Sequence, residues 1–368
     1  MPDVRNTAAA PAQEPPPAPG RTLRWFEQPI EGLPAQAYQQ LREYRESDHA
    51  RESPEKRKWA RYAEQFHNMR FAVPAYFRRE VDPGRLCRYL MRFCRQHDLP
   101  EPLALQLTPT LVNYISTGRM RPVILVGEPG CGKTTAARML LKEALGIPIE
   151  VVKAPAVAGA RGLTGSCATF HAADVGPLAR AQLRHNTLVV GYIVDEIDKV
   201  TETMHRAPID EELLSITDES VFDIEDNFLE FQLVSLPHCP FIFTGNDLEK
   251  INPILADRCT VIHFPTPTEQ RICSITLKYA ADLLKQPAYR MVQIDAEELL
   301  ASIRRLISQR ITSLRKYQEL VEKVVSRAFV ECATNAQSAP QPVTQDMYLQ
   351  AEAEITGSQC RKVGFMVR

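Results

Sequence analysis

One stretch constrains this chain more than any other: Gly127-Glu128-Pro129-Gly130-Cys131-Gly132-Lys133-Thr134-Thr135. It satisfies G-x-x-x-x-G-K-[ST], follows directly on the apolar run Pro122–Val126, and precedes a helical pattern from Ala136 to Glu143. Glycines at this spacing let backbone N–H groups wrap a phosphate with no Cβ in the way, and a helix opening on the loop favours an anion. The pattern implies that Lys133 reaches the β- and γ-phosphates of a nucleotide and that Thr134 offers its hydroxyl to Mg²⁺. A strand, a loop and a helix in that order demand an α/β fold.

The surrounding sequence agrees. Apolar runs at 122–126, 149–153, 188–194, 240–244 and 260–264 are separated by helix-length segments. Strands alternating with helices predict a parallel sheet with helices on both faces. We bound this nucleotide-binding domain at residues 103–265, with Thr108-Pro109 as a helix start. Residues 266–340 read as an all-helical lid. Thr266-Pro267-Thr268-Glu269 forms a capping-box pattern and Asp295 with Glu298 a second one. Residues 341–368 are left as a C-terminal tail.

Further groups have the chemistry that a phosphate loop requires. The run Leu188–Val194 delivers Asp195 and Glu196 at a strand end. There Asp195 would hold the metal, as Thr134 would, and Glu196 would orient and deprotonate water. Pro240–Thr244 delivers Asn246, whose amide suits water positioning; the alternative is a turn-forming asparagine. Arg258, in LADRC before the last strand, suits neutralisation of a transferring phosphoryl group. Arg315 opens a lid helix near Ser313 and would meet the same phosphate; Arg310 is its substitute, and the alternative for either is a solvated arginine.

The amino-terminal part differs in character. Eight prolines lie in residues 1–34, and residues 1–20, rich in Pro and Ala, are expected to be a disordered tail. Residues 21–102 read as a small helical N-terminal region. Between 21 and 96 there are 16 Lys and Arg against 10 Asp and Glu, a net of +6. Residues 1–20 contribute −1, so the chain's formal −1 leaves −6 for residues 97–368. Overall neutrality is therefore a sum of opposite regions. Trp59, Tyr62 and Phe66 share one helical face, as do Leu86, Leu90 and Phe93. Either this region docks nucleic acid or an acidic partner, or its aromatics pack inward and its arginines solvate the outside.

Nine cysteines are scattered with no CxxC or Cys/His zinc spacing, a pattern unlike a disulfide framework that points to a reducing cytoplasm. No run of about 18 apolar residues occurs, so a membrane span is not expected. The start, MPDVRNTAAAPAQ, has no apolar segment of the secretory kind.

The order of P-loop, DEIDK, Asn246, Arg258 and a lid arginine resembles the AAA+ ATPases, and within them the ATPase module of the Lon proteases. The likeness runs through Arg161-Gly-Leu-Thr-Gly, VDEIDK at 194–199, DNFLEFQL at 226–233, FIFTGN at 241–246 and ILADRC at 254–259. It covers about residues 120–335. The resemblance implies ATP and Mg²⁺ as ligands, Asp195 and Glu196 as metal-side and catalytic carboxylates, and Asn246 and Arg315 as sensors. It implies Arg258 as a finger acting on a neighbouring subunit, hence a ring, usually a hexamer. It also implies a pore aromatic matched approximately by Phe170, the alternative being a buried loop anchor. Lon carries its protease after the lid, and about 30 residues follow Ala339 here, so an ATPase without proteolysis is expected. The leading expectation is a ring that remodels or threads a protein. The alternatives are a nucleic-acid-associated ATPase docking through residues 21–96, and a nucleotide-dependent scaffold.

Overall fold

A computed structural model describes residues 33–46, 53–69, 81–157, 162–167, 173–202, 207–218, 224–233, 236–334 and 341–357. Residues 1–20, expected as a tail, and Phe170 lie outside the described residues.

Four helices precede the sheet: α1 (Ala35–Glu46), α2 (Pro54–Asn68), α3 (Pro83–Gln96) and α4 (Glu101–Thr117). Helices α2 and α3 begin the way their sequences dictate, with Ser53 and Asp82 accepting backbone N–H groups at the N-cap and proline next in line. Helix α4 does not begin at Thr108-Pro109 as expected. It runs from Glu101 through Pro109, and the Thr108 hydroxyl bonds back to the Ala104 carbonyl instead of capping. Threonine serves both roles, and the apolar face Leu103, Leu107, Leu111 holds the helix across the proline.

The domain then follows as β1 (Val123–Val126), α5 (Lys133–Arg138) with a π-helical turn to Ala144, β2 (Ile149–Lys153), α6 (Ala154–Val157), α7 (Pro177–His185) and β3 (Gly191–Asp195). After it come α8 (Ala207–Thr217), β4 (Glu225–Asp226), β5 (Phe231–Gln232), β6 (Phe241–Gly245), α9 (Pro253–Arg258) and β7 (Thr260–His263). The five long strands form one parallel sheet in the order β2-β3-β6-β1-β7. Alternation decides its two faces. Ile124, Val126, Tyr192, Val194, Phe241 and Phe243 join one cluster, while Val123, Leu125, Ile193 and Ile242 join the other.

The amino-terminal helices cover these faces. Ala60, Ala63 and Phe66 of α2 belong to the first cluster, and Leu90, Phe93 and Cys94 of α3 to the second. The aromatic stripe therefore packs inward. The Trp59 indole donates to the Leu229 carbonyl at 2.7 Å, and Tyr62 meets Phe228 edge-on. Lys58 pairs with Asp174 at 3.0 Å. The basic segment is thus part of the sheet's covering on both sides.

The lid consists of α10 (Glu269–Leu284), β8 (Val292–Gln293), α11 (Ala296–Ser308), α12 (Leu314–Thr334), β9 (Gln341–Pro342) and α13 (Gln345–Thr356). Helix α10 is capped by Thr268, not Thr266: the residue before Pro267 is pushed toward extended backbone, and Thr268 accepts the Arg271 N–H. Asp295 caps α11 as expected. The stretch assigned to a tail instead carries α13, with Met347, Tyr348, Ala351 and Ile355 in the lid core. Its buried Glu352 is chelated by Arg305 of α11 at 2.7 Å through Nη2 and bonded by Ser302. Helical periodicity in 345–356 is short, which is why it escaped notice.

Candidate active site

The strand registers set Val126 beside Gly245 and Val194 beside Phe243, so β1, β6 and β3 end along one edge. Gly127, Asp195 and Asn246 emerge from that edge together. A cleft of about 550 Å³ opens there beneath the lid. Lys133, Thr134, Asp195, Glu196 and Asn246 line its sheet side; Arg315 and Arg271 line its lid side.

The loop's own geometry explains its glycines. Gly130 has φ +77°, and a Cβ there would lie 2.1 Å from the Ser313 hydroxyl of the lid. The lid docks on this residue through backbone, the Leu314 N–H donating to the Gly130 carbonyl at 2.9 Å. Gly132, with φ +101°, opens α5. Cys131 is buried under the loop, which pushes its thiol pKa up.

Lys133 is buried, and its ammonium donates to the carbonyls of Gly127 (2.7 Å) and Glu128 (2.9 Å) and to Asn246 Oδ1 (3.0 Å). Burial lowers its pKa, partly offset by the carboxylates of Asp198 and Asp195. The Asn246 amide donates in turn to Asp198 Oδ2 at 3.3 Å. The Thr134 hydroxyl donates to Asp195 Oδ1 at 2.9 Å, and the Thr244 hydroxyl donates to the same oxygen. Thr244 also accepts the Glu196 N–H at 3.3 Å. The sheet-side residues thus form two hydrogen-bonded sets side by side, Lys133–Asn246–Asp198 and Thr134–Asp195–Thr244–Glu196.

Glu196 has a left-handed backbone, φ +64°, which aims its side chain away from the run of β3. Its carboxylate is paired with Lys199 at 2.7 Å. Arg310 also has φ +61° and ends α11 rather than facing the cleft, so Arg315 is the lid arginine that lines it. Arg258 does not line the cleft. Its guanidinium donates to the Leu214 carbonyl at 2.7 Å and pairs with Asp218 at 3.3 Å.

Several contributors escaped sequence reasoning. Thr244 was visible inside FIFTGN but unweighted, and Lys199 sat in DEIDK. Arg271 and Asp98 gave no local signal at all. Leu99, Ile275 and Leu314 add an apolar end to the cleft, suited to a flat base.

Residues 123–266 match the family model described as "ATPase family associated with various cellular activities (AAA)". This segment is similar to an AAA domain. The wider chain is similar to a Lon protease homolog of Acanthamoeba polyphaga mimivirus, 32% identical over 36% of this chain and 13% of that protein. It is also similar to the Lon protease of Syntrophus aciditrophicus (28% identical, 46% of this chain, 22% of that one). A third relative is the mitochondrial Lon protease homolog of Candida albicans (27%, 59% of this chain, 21% of that one). The chain spans about a fifth or less of the length of these relatives, and the likeness falls on their ATPase portion. The parallel sheet forms the α/β core of the matched segment, and the helical lid closes over it. No helix among the described residues is long and apolar enough to cross a membrane.

Proposed function

We propose that the chain binds ATP between the AAA domain and its lid, hydrolyses it within a ring of copies, and uses the cycle to thread or remodel a polypeptide. The observation that carries this reading is the convergence of Lys133, the Thr134–Asp195 pair and Asn246 at one sheet edge under Arg315. The residues fit the ligands. The Lys133 ammonium has loop carbonyls, the Cys131 sulfur and one amide for partners, a place that phosphate oxygens fill better. Thr134 and Asp195 would hold Mg²⁺, which favours few protein oxygens and the substrate's phosphates. When bound, the metal supplies neutralisation of phosphate charge.

In this mechanism Lys133 leaves the Gly127 and Glu128 carbonyls for the β- and γ-phosphates. Glu196 leaves Lys199 and takes a proton from the attacking water, which the Asn246 amide orients. Arg315 meets the nucleotide from the lid. Arg258, outside its own cleft, acts on the nucleotide of a neighbouring copy, and a ring, a hexamer by analogy, follows from that role. The names of the Lon relatives support a polypeptide as substrate. The free cysteines among the described residues, several of them buried, suit a reducing, cytoplasmic compartment.

Phosphate release from ATP by the full chain, with and without MgCl₂, tests the reaction. Mixing inactive Arg258→Ala and Lys133→Ala chains tests the ring: mixed interfaces pair an intact finger with an intact loop, so some turnover returns. No recovery at any mixing ratio removes Arg258 from the reaction in trans.

A further inference from the structure

The lid brings a second cation to the phosphate loop, from a different helix than Arg315. Arg271, in the first turn of α10, donates through Nε to the Asp98 carbonyl at 2.6 Å. Its guanidinium lies 5.3 Å from the Phe264 ring centroid. Nη2 sits 3.2 Å from where a Cβ on Gly132 would be, and the side chain lines the cleft. Nη1 is shielded from solvent and has no hydrogen-bond partner among the described residues.

That last atom is the informative one. Buried guanidinium N–H groups are nearly always satisfied, because desolvating one without an acceptor is costly. The carboxylate closest at hand does not serve it: the Asp98 side chain is engaged by Ser274 at 2.8 Å and by Lys278. The group is held at two points, by a carbonyl and an aromatic face, with Nη2 turned toward the residue that precedes Lys133. An arginine fork fits phosphate oxygens in a way that a neutral side chain does not.

Resting on the ATP reading above, we propose that Arg271 is a phosphate-binding residue of this site, which donates through the guanidinium edge that lines the cleft to the polyphosphate of a nucleoside di- or triphosphate. The lid then grips the nucleotide with Arg271 of α10 and Arg315 of α12. Asp98, in the turn between α3 and α4, aims the guanidinium through its carbonyl. The nucleotide thereby bridges the lid to the helices that cover the sheet.

The test is calorimetric titration of the full chain with ADP, alongside thermal unfolding without nucleotide. Arg271→Met keeps the side-chain length over Phe264 but loses the charge, while Arg271→Lys keeps the charge. Arg271→Met is expected to weaken ADP binding about tenfold or more, the loss of one charge-assisted contact. Arg271→Lys is expected to stay within about threefold of the unmutated chain, and each to unfold within a few degrees of it. Arg271→Gln stands in if the methionine variant does not fold. Unchanged ADP affinity in the uncharged variant overturns the assignment, as does equal impairment of Lys and Met, which marks a packing role. Failure of the unmutated chain to bind ADP is a separate result, and overturns the nucleotide site itself.

Discussion

On the sheet side of the cleft the functional side chains hold one another. Lys133 is bonded to Asn246, and Thr134 and Thr244 both donate to Asp195. On the lid side the cations are offered to the cleft. Arg271 lines it with Nη2 beside Gly132, and Arg315 enters one residue after the backbone bond that docks Leu314 on Gly130. The sheet side is built on a parallel core whose strands pair continuously, a fixed backbone frame on which Lys133 and Glu196 need only exchange partners. The lid has a core of its own and meets the loop through a few contacts. The contrast assigns chemistry to the first wall and grip to the second.

That division can be broken from either side. Glu196→Gln should cost turnover about 100-fold or more while nucleotide still binds, as expected for loss of a general base; phosphate release against ATP affinity separates the two. Lys133→Ala strikes a sheet-side residue that bonds its neighbours and is proposed to meet phosphate, and should weaken ATP about 10- to 100-fold by titration. Arg315→Ala should cost about tenfold in affinity, with turnover at saturating ATP changing less than in Glu196→Gln. If Arg315→Ala instead abolished turnover with affinity intact, the lid would belong to the chemistry.

The smallest effect is a control remote from both walls. Asp226 is buried and accepts the backbone N–H groups of Gly176, Phe228 and Leu229. Burial raises its pKa from 3.8 to about 6 against the pull of those bonds. A raised carboxyl pKa means the folded state holds the proton longer, so this group's contribution to stability falls as pH rises from about 4 to about 6. Asp226→Asn should remove that slope from the pH dependence of Tm and leave ADP affinity unchanged.

How much was legible beforehand follows from how locally each feature is encoded. The phosphate loop is contiguous, so strand, glycines and lysine announce themselves together. Asp195 and Asn246 were readable as carboxyl ends of apolar runs, yet their meeting with Lys133 depends on the order β3-β6-β1, which no single run contains. Arg271 was invisible because its meaning comes from Asp98, 173 positions away. The stripe Trp59, Tyr62, Phe66 was read correctly as a helix face, but its inward packing depends on residues such as Leu229 and Phe231 far along the chain. Thr108-Pro109 misled because a threonine can cap a helix or bond back within one.

The central claim is that this cleft is a nucleotide site, and equilibrium binding of a fluorescent ATP analogue to Glu196→Gln tests it most directly. The expected result is saturable binding, one site per chain, strengthened by MgCl₂, displaced by ATP and by ADP, and lost when Lys133→Ala is added. A folded Glu196→Gln chain that binds no analogue, or binds it equally well without Lys133, would contradict the account.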